Sequence, residues 1–225
     1  MIKAILFDLD ETLFDRTGSL KLFLQDQYKR HEALAHVPVD DFITMFLTLD
    51  ARGSQPQAET YAALLGHLGQ VDDTLVSTMH AEYEDGFRQF ATMFPGTEEL
   101  LLYLRQKGLR TGIISNGRTD HQMANIYQMK LDLLVDSILV SEKEGIRKPD
   151  AEIFWRAASR LSFKPEDCLF VGDNPVADVL GATDAGMQAI WVPNGADWPG
   201  DAPPNPGLTA ASLQDLHKML VKIGV

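Results

Sequence analysis

Asp8 and Asp10 sit one residue apart where the first apolar run, Ile2-Lys3-Ala4-Ile5-Leu6-Phe7, ends. Side chains alternate along a strand, so both carboxylates can point to one side. Three more polar clusters follow apolar runs or precede helical ones. These are Ser115-Asn116-Gly117, Arg147-Lys148-Pro149-Asp150, and Gly172-Asp173 through Asp178. If Asp8, Asp10, Asp173 and Asp178 meet, their carboxylates repel one another. A hard cation resolves that, and an all-oxygen donor set that keeps some waters suits Mg²⁺. The metal then needs an anion to complete its shell, and phosphate is the natural candidate. Ser115 offers a hydroxyl, Lys148 a compact positive charge. The backbone N–H groups of Asn116 and Gly117 precede a helical stretch and are placed to cradle an anion. A carboxylate beside a held phosphoryl group is a nucleophile, which points to an aspartyl-phosphate. The second carboxylate can protonate the leaving oxygen and later activate water.

Such chemistry requires the clusters to share one edge of a sheet. The apolar runs Lys3–Asp8, Arg110–Ser115, Ser137–Ser141, Cys168–Gly172 and Gln188–Val192 read as buried strands. Helical stretches alternate with them at Thr97–Lys107, Asp120–Met129, Asp150–Leu161 and Pro175–Ala185, and Ser212–Ile223 comes last. Asn174-Pro175 is a helix start, with Asn to cap and Pro in the first turn. Alternation of this kind predicts an α/β fold, a Rossmann-like parallel sheet, with ligands outside the carboxyl ends of its strands. The stretch from Phe14 to Phe94 contains no strand-like run. It carries four helical periodicities: Leu20, Phe23, Leu24, Tyr28; Val39, Phe42, Ile43, Phe46, Leu47; Tyr61, Leu64, Leu65, Leu68; and Leu75, Met79, Tyr83, Phe87, Phe90. The expected organisation is an α/β core from 1–14 and 95–225, with an inserted all-helical domain at 15–94. Residues 192–207, rich in Pro and Gly, read as a surface loop that Trp198 anchors.

Composition narrows the partners. A net charge of −12 argues against nucleic acid and anionic membrane surfaces, and any phosphate site must bring its own positive charge. The single cysteine, Cys168, lies in an apolar run and forbids an internal disulfide. No apolar stretch approaches the ~20 residues of a membrane helix. With Met1-Ile2-Lys3 running straight into the first strand, the expectation is a cytoplasmic protein.

The chain resembles the haloacid dehalogenase (HAD) superfamily in four motifs that occur in the family's order. DxDx[TV] is met by Asp8-Leu9-Asp10-Glu11-Thr12, and the hydrophobic-then-Ser/Thr motif by Ile113-Ile114-Ser115-Asn116-Gly117. The lysine before proline is met by Lys148-Pro149, and GDxxxxD by Gly172 through Asp178. The resemblance implies an Mg²⁺-dependent phosphatase with a helical cap of the C1 type. Asp8 would be the nucleophile and Asp10 the general acid/base. The metal would be held by Asp8, Asp173 and the Asp10 main-chain carbonyl, with Asp178 acting behind them or through a water. Ser115 and Lys148 would hold the phosphoryl group, with Asn116 and Gly117 beside it, and Thr12 would steady the first loop. A C1 cap closes over the sheet edge, excludes water and selects the leaving group. The 32 residues between Ser115 and Lys148 are too few for the α/β cap of other members. The wording around the motifs is also similar to pyrimidine nucleotidases and N-acylneuraminate-9-phosphatases.

The resemblance leaves other readings open. A phosphomutase uses the same aspartates, although familiar sugar phosphomutases carry Gly at the place of Glu11. A 2-haloacid dehalogenase lacks the second aspartate, so Asp10 argues against it. A non-catalytic phosphate-binding module such as a receiver domain is about half this length. The expected partner is a small phosphorylated metabolite, a sugar phosphate or nucleoside monophosphate. Arg16, Arg52, Gln55, His67 and Arg118 are the candidates for recognising it, with Arg118 the best placed.

Overall fold

The computed structural model describes residues 1–70 and 72–223. The expected domain ranges also contain Val71, Gly224 and Val225, which lie outside the described residues. The chain forms two compact units, one from Met1–Asp15 with Met93–Val225 and the other from Arg16–Thr92.

The first unit carries β1 (Ala4–Phe7). The second carries α1 (Arg16–Arg30), α2 (Val39–Asp50), α3 (Gln57–His67) and α4 (Asp73–Gly86). The first unit resumes with α5 (Thr97–Gln106), β2 (Arg110–Ser115), α6 (Thr119–Gln128), β3 (Ser137–Val140), α7 (Ser141–Glu144) and α8 (Ala151–Arg160). It ends with β4 (Cys168–Gly172), α9 (Gly181–Asp184), β5 (Gln188–Trp191), β6 (Leu208–Thr209) and α10 (Leu213–Ile223).

The strands build a six-stranded sheet ordered β3-β2-β1-β4-β5-β6, with every pairing parallel. All residues of β1 and β4 are buried, as continuous apolar runs between helical layers demand. On one face Leu6 and Phe170 join Ile153, Phe154, Ala157 and Ala158 of α8 in a single apolar cluster. Since all strands run the same way, the carboxyl ends of β1, β2 and β4 lie along one edge. Ser115, at the end of β2, pairs with Val140 of β3, and Phe7 of β1 lies between Ile113 and Val171.

Two expectations needed revision. The helix expected over Pro175–Ala185 is a π-helical turn, Pro175–Leu180, followed by the short α9. Asn174 does cap it, accepting from Val176 N (3.0 Å) and Ala177 N (2.9 Å). The widened turn brings Asp178 back under the end of β4, where its Oδ2 accepts from Asn174 N at 2.9 Å. A Cβ on Gly172 would lie 2.4 Å from that carboxylate, so the glycine is required by the close approach. The second revision is β6, a two-residue strand too short to show a period. Within the loop before it, Trp198 stands edge-on to Trp191, with ring centroids 5.2 Å apart, and packs on the core cluster as an anchor.

The helical unit is cored by the aromatics of the four periodic stretches. Phe23 meets Tyr83, Phe87 and Phe90 edge-on, and Phe46 meets Tyr61 at 4.9 Å. Phe87 and Phe90 lie past α4 in a 3-10 turn. At one end Arg16 grips Asp50 through two hydrogen bonds of 2.7 and 2.8 Å, both groups buried. Burial pushes the Asp50 carboxyl up, but the Arg16 hydrogen bonds and charge, helped by Gln57 and Gly53, outweigh it and hold the group below its ordinary value. Asp50→Ala strands the guanidinium and is expected to destabilise this unit by ~3–5 kcal/mol. Urea unfolding followed at pH 7 and in acid checks it. A lowered carboxyl stabilises above its unfolded pKa and loses that contribution as pH falls through its folded one, so the difference between parent and variant should shrink in acid.

No helix among the described residues is long and apolar enough to cross a membrane.

Candidate active site

The site is built on the carboxyl ends of β1, β2 and β4. After β1 the chain makes a tight turn in which the Leu9 carbonyl accepts from the N–H groups of Leu13 (3.0 Å) and Phe14 (2.9 Å). Glu11 sits in that turn at φ 58°, a left-handed conformation that costs a side-chain-bearing residue something, and it is buried. Asn194 donates to the Glu11 carbonyl and ties the turn to the loop after β5. The Thr12 Oγ1 is buried and has no hydrogen-bond partner among the described residues.

Asp8, Asp173 and Asp178 are all buried, and each offers a carboxylate oxygen within 4.8 Å of the others. Lys148, 3 % exposed, pairs with Asp8 Oδ1 and lies 2.7 Å from Asp178 Oδ1. Its ammonium also lies 5.3 Å from the centre of the Phe170 ring. Burial lowers the pKa of this ammonium, but Asp178 and Asp8 more than offset it, so the lysine stays charged. Burial pushes the Asp8 carboxyl well above its ordinary value. Lys148 opposes that shift, and Asp178, Asp173 and Asp10 add to it. Three carboxylates thus face one ammonium, and the deficit of positive charge is what a divalent cation would fill. The donor set, all carboxylate oxygen, fits Mg²⁺.

The second cluster is divided by the structure. Ser115 is fully buried, its hydroxyl beside the amide of Gln122 (2.6 Å). Asn116 uses its side chain on the backbone of Lys148, with both hydrogen bonds at 3.0 Å, and so fixes the lysine. The Gly117 N–H, expected to cradle an anion, donates instead to Ser141 Oγ at 3.0 Å. Arg118 is exposed and its charge is matched by Asp120 at 2.7 Å. Of the other recognition candidates, Arg16 is committed to Asp50, while Arg52, Gln55 and His67 are exposed.

Gln122 was not anticipated. It is buried in the first turns of α6 and donates to the Asp10 carboxylate as well as to Ser115. Nothing local announces it, since a glutamine in a helical stretch is ordinarily a surface residue. The one hint is Gly117, where a Cβ would lie 3.0 Å from the Gln122 side chain.

A family model described as haloacid dehalogenase-like hydrolase matches residues 2–186. The chain belongs to that family. Among similar proteins of this family is a glyceraldehyde 3-phosphate phosphatase of Methanothermobacter thermautotrophicus, 30% identical over 201 residues that make up 85% of this chain and 86% of the relative. Of solved structures, the HAD-hydrolase YfnB of Bacillus subtilis, bound to magnesium, superposes with a TM-score of 0.71 at 24% identity, covering 97% of this chain and 98% of its own. A 2-haloacid dehalogenase of Pseudomonas syringae has a TM-score of 0.62 at 28% identity, with both chains fully covered. HAD-like members thus include both phosphatases and dehalogenases, and the site has to separate them.

Proposed function

We propose that this hydrolase is an Mg²⁺-dependent phosphatase that acts on a small phosphomonoester through an aspartyl-phosphate on Asp8. The observation that carries the reading is the pairing of a buried, lysine-matched nucleophile, Asp8, with a second carboxylate, Asp10, held by Gln122 beside Ser115. A dehalogenase has no leaving alkoxide to protonate, so Asp10 favours phosphoryl transfer. The phosphatase relative of M. thermautotrophicus supports the same choice.

Asp8 attacks phosphorus through one carboxylate oxygen while Asp10 gives its proton to the departing alkoxide. The Ser115 hydroxyl and the Lys148 ammonium hold phosphoryl oxygens, and Thr12 adds a buried hydroxyl to the first loop. Asp10, now ionised, takes a proton from the water that attacks the aspartyl-phosphate and releases phosphate. Asp8, Asp173 and the Asp10 carbonyl would hold the metal, with Asp178 behind them. When bound, Mg²⁺ supplies charge neutralisation between the carboxylates and the phosphoryl oxygens. The roles of Asn116 and Gly117 reduce to positioning Lys148 and making room for Gln122. We assign substrate selection to the helical unit, acting as a cap, and a sugar phosphate or nucleoside monophosphate as substrate class. A free, buried Cys168 and the absence of other cysteines suit a reducing cytoplasm.

Hydrolysis of p-nitrophenyl phosphate near neutral pH, with Mg²⁺ and with EDTA, tests the reading. Mg²⁺-dependent release of nitrophenol supports it, and a metabolite panel then finds the substrate. A folded protein with metal that releases none overturns it in favour of a phosphomutase or a binding role. Faster turnover of phosphoproteins than of any small phosphate would reject the substrate class. Metal binding has its own readout. Mg²⁺ at about 100 times its Kd should stabilise the fold by ~2.7 kcal/mol, seen as a higher Tm, and Asp173→Asn should remove most of that gain.

A further inference from the structure

We propose that Gln122 is a positioning residue for this reaction: its amide aims the Asp10 carboxylate at the leaving oxygen and turns the Ser115 hydroxyl toward the phosphoryl group. The inference rests on the phosphatase reading above. Gln122 lies seven residues past Ser115 and 112 residues past Asp10, so only the fold brings the three together. Its Nε2 donates to Asp10 Oδ2, lies 2.6 Å from Ser115 Oγ and lies 3.4 Å from the Asn116 carbonyl.

The chemistry of these groups sets the direction of every bond. An amide nitrogen has two N–H groups and accepts nothing. Ser115 must therefore accept from Gln122 through its oxygen, which leaves its own proton to donate to another acceptor. A phosphoryl oxygen is the acceptor that a phosphomonoester brings. The Asp10 carboxylate accepts at Oδ2 from α6, an element other than the loop that carries it. Orientation of a general acid to within a few tenths of an ångström is worth orders of magnitude in rate. Gly117 completes the arrangement, because a side chain there would press on the Gln122 side chain at 3.0–3.2 Å.

A buried amide that merely filled space would affect all substrates alike. A group that aims the general acid affects most the substrates that need one. The experiment compares kcat/KM for phenyl phosphate and p-nitrophenyl phosphate, nearly equal in shape but different in leaving-group basicity, in the parent, Gln122→Met and Gln122→Ala, all with Mg²⁺. Methionine keeps the length of the side chain and removes the donors. Because kcat/KM covers the steps through leaving-group departure, the expected loss is about 10²-fold for phenyl phosphate and about tenfold less for p-nitrophenyl phosphate. Circular dichroism and the thermal transition identify folded variants, and if one fails to fold the other decides. Equal losses on both substrates, or no loss, in a folded variant would overturn the inference. A parent without Mg²⁺-dependent hydrolysis of either ester would instead overturn the phosphatase reading on which it rests.

Discussion

Asp8→Asn is expected to lower phosphate release by at least ~10⁴-fold, since it removes the carboxylate proposed as nucleophile while keeping its shape. The amide oxygen can still accept from Lys148, so the lysine keeps a partner. The substitution also takes one negative charge from a cluster in which Asp178, Asp173 and Asp10 already push the Asp8 carboxyl upward. The variant should therefore be at least as stable as the parent in EDTA. Activity lost with Tm held or raised is a result that unfolding cannot imitate. Phosphate release and a thermal scan on the same sample check it, and residual turnover near the parent level would mean that Asp8 is not the nucleophile.

The second large effect is expected at Lys148, where the Nζ lies between Asp8 and Asp178 and shares its one positive charge between two buried carboxylates. Lys148→Met keeps apolar bulk against Phe170 and deletes only the charge. Loss of one preorganised electrostatic contact to the reacting group should lower kcat by about 10²–10³-fold. Breaking a buried pair from one side should cost ~3–5 kcal/mol. The stability deficit should depend on pH in a definite direction. The Asp8 carboxyl is raised even with Lys148 present and must rise further without it. A raised carboxyl contributes stability that is full below its unfolded pKa and is lost as pH climbs through the folded value. The deficit is thus smallest in acid and grows toward neutrality. Thermal scans in EDTA at pH 5 and pH 8 measure it, and a deficit that shrinks as pH rises would contradict the assignment. Added Mg²⁺ should recover part of the loss by replacing the missing positive charge.

The parts of this site differ in how they could be read. Asp8, Ser115, Lys148 and Asp173 occupy ends of strands or starts of helices, positions that hydrophobic patterning marks one segment at a time. The structure groups Asp8 and Lys148 with Asp178 and places Ser115 next to the side chain that holds Asp10. Arg118 and Gly117 were equally well placed along the chain, yet one pairs with Asp120 and the other gives its N–H to Ser141. Proximity in sequence does not say which way a backbone N–H or a side chain turns once neighbouring elements offer partners. The same holds for Arg16, whose type suits phosphate recognition but whose guanidinium is taken by Asp50, 34 residues away.

The parallel α/β core, the helical insert and the four polar clusters are legible along the chain. Those features follow from apolar period, strand length and residue type, all of them local. The partner of each polar group emerges only when the elements pack. Packing gave Gln122 to Asp10 and Ser115, Asn116 to the Lys148 backbone, and the wide turn at Pro175–Leu180 that tucks Asp178 beneath Gly172. A buried donor or acceptor must find a partner wherever the fold supplies one, and the partner's distance along the chain carries no energy of its own.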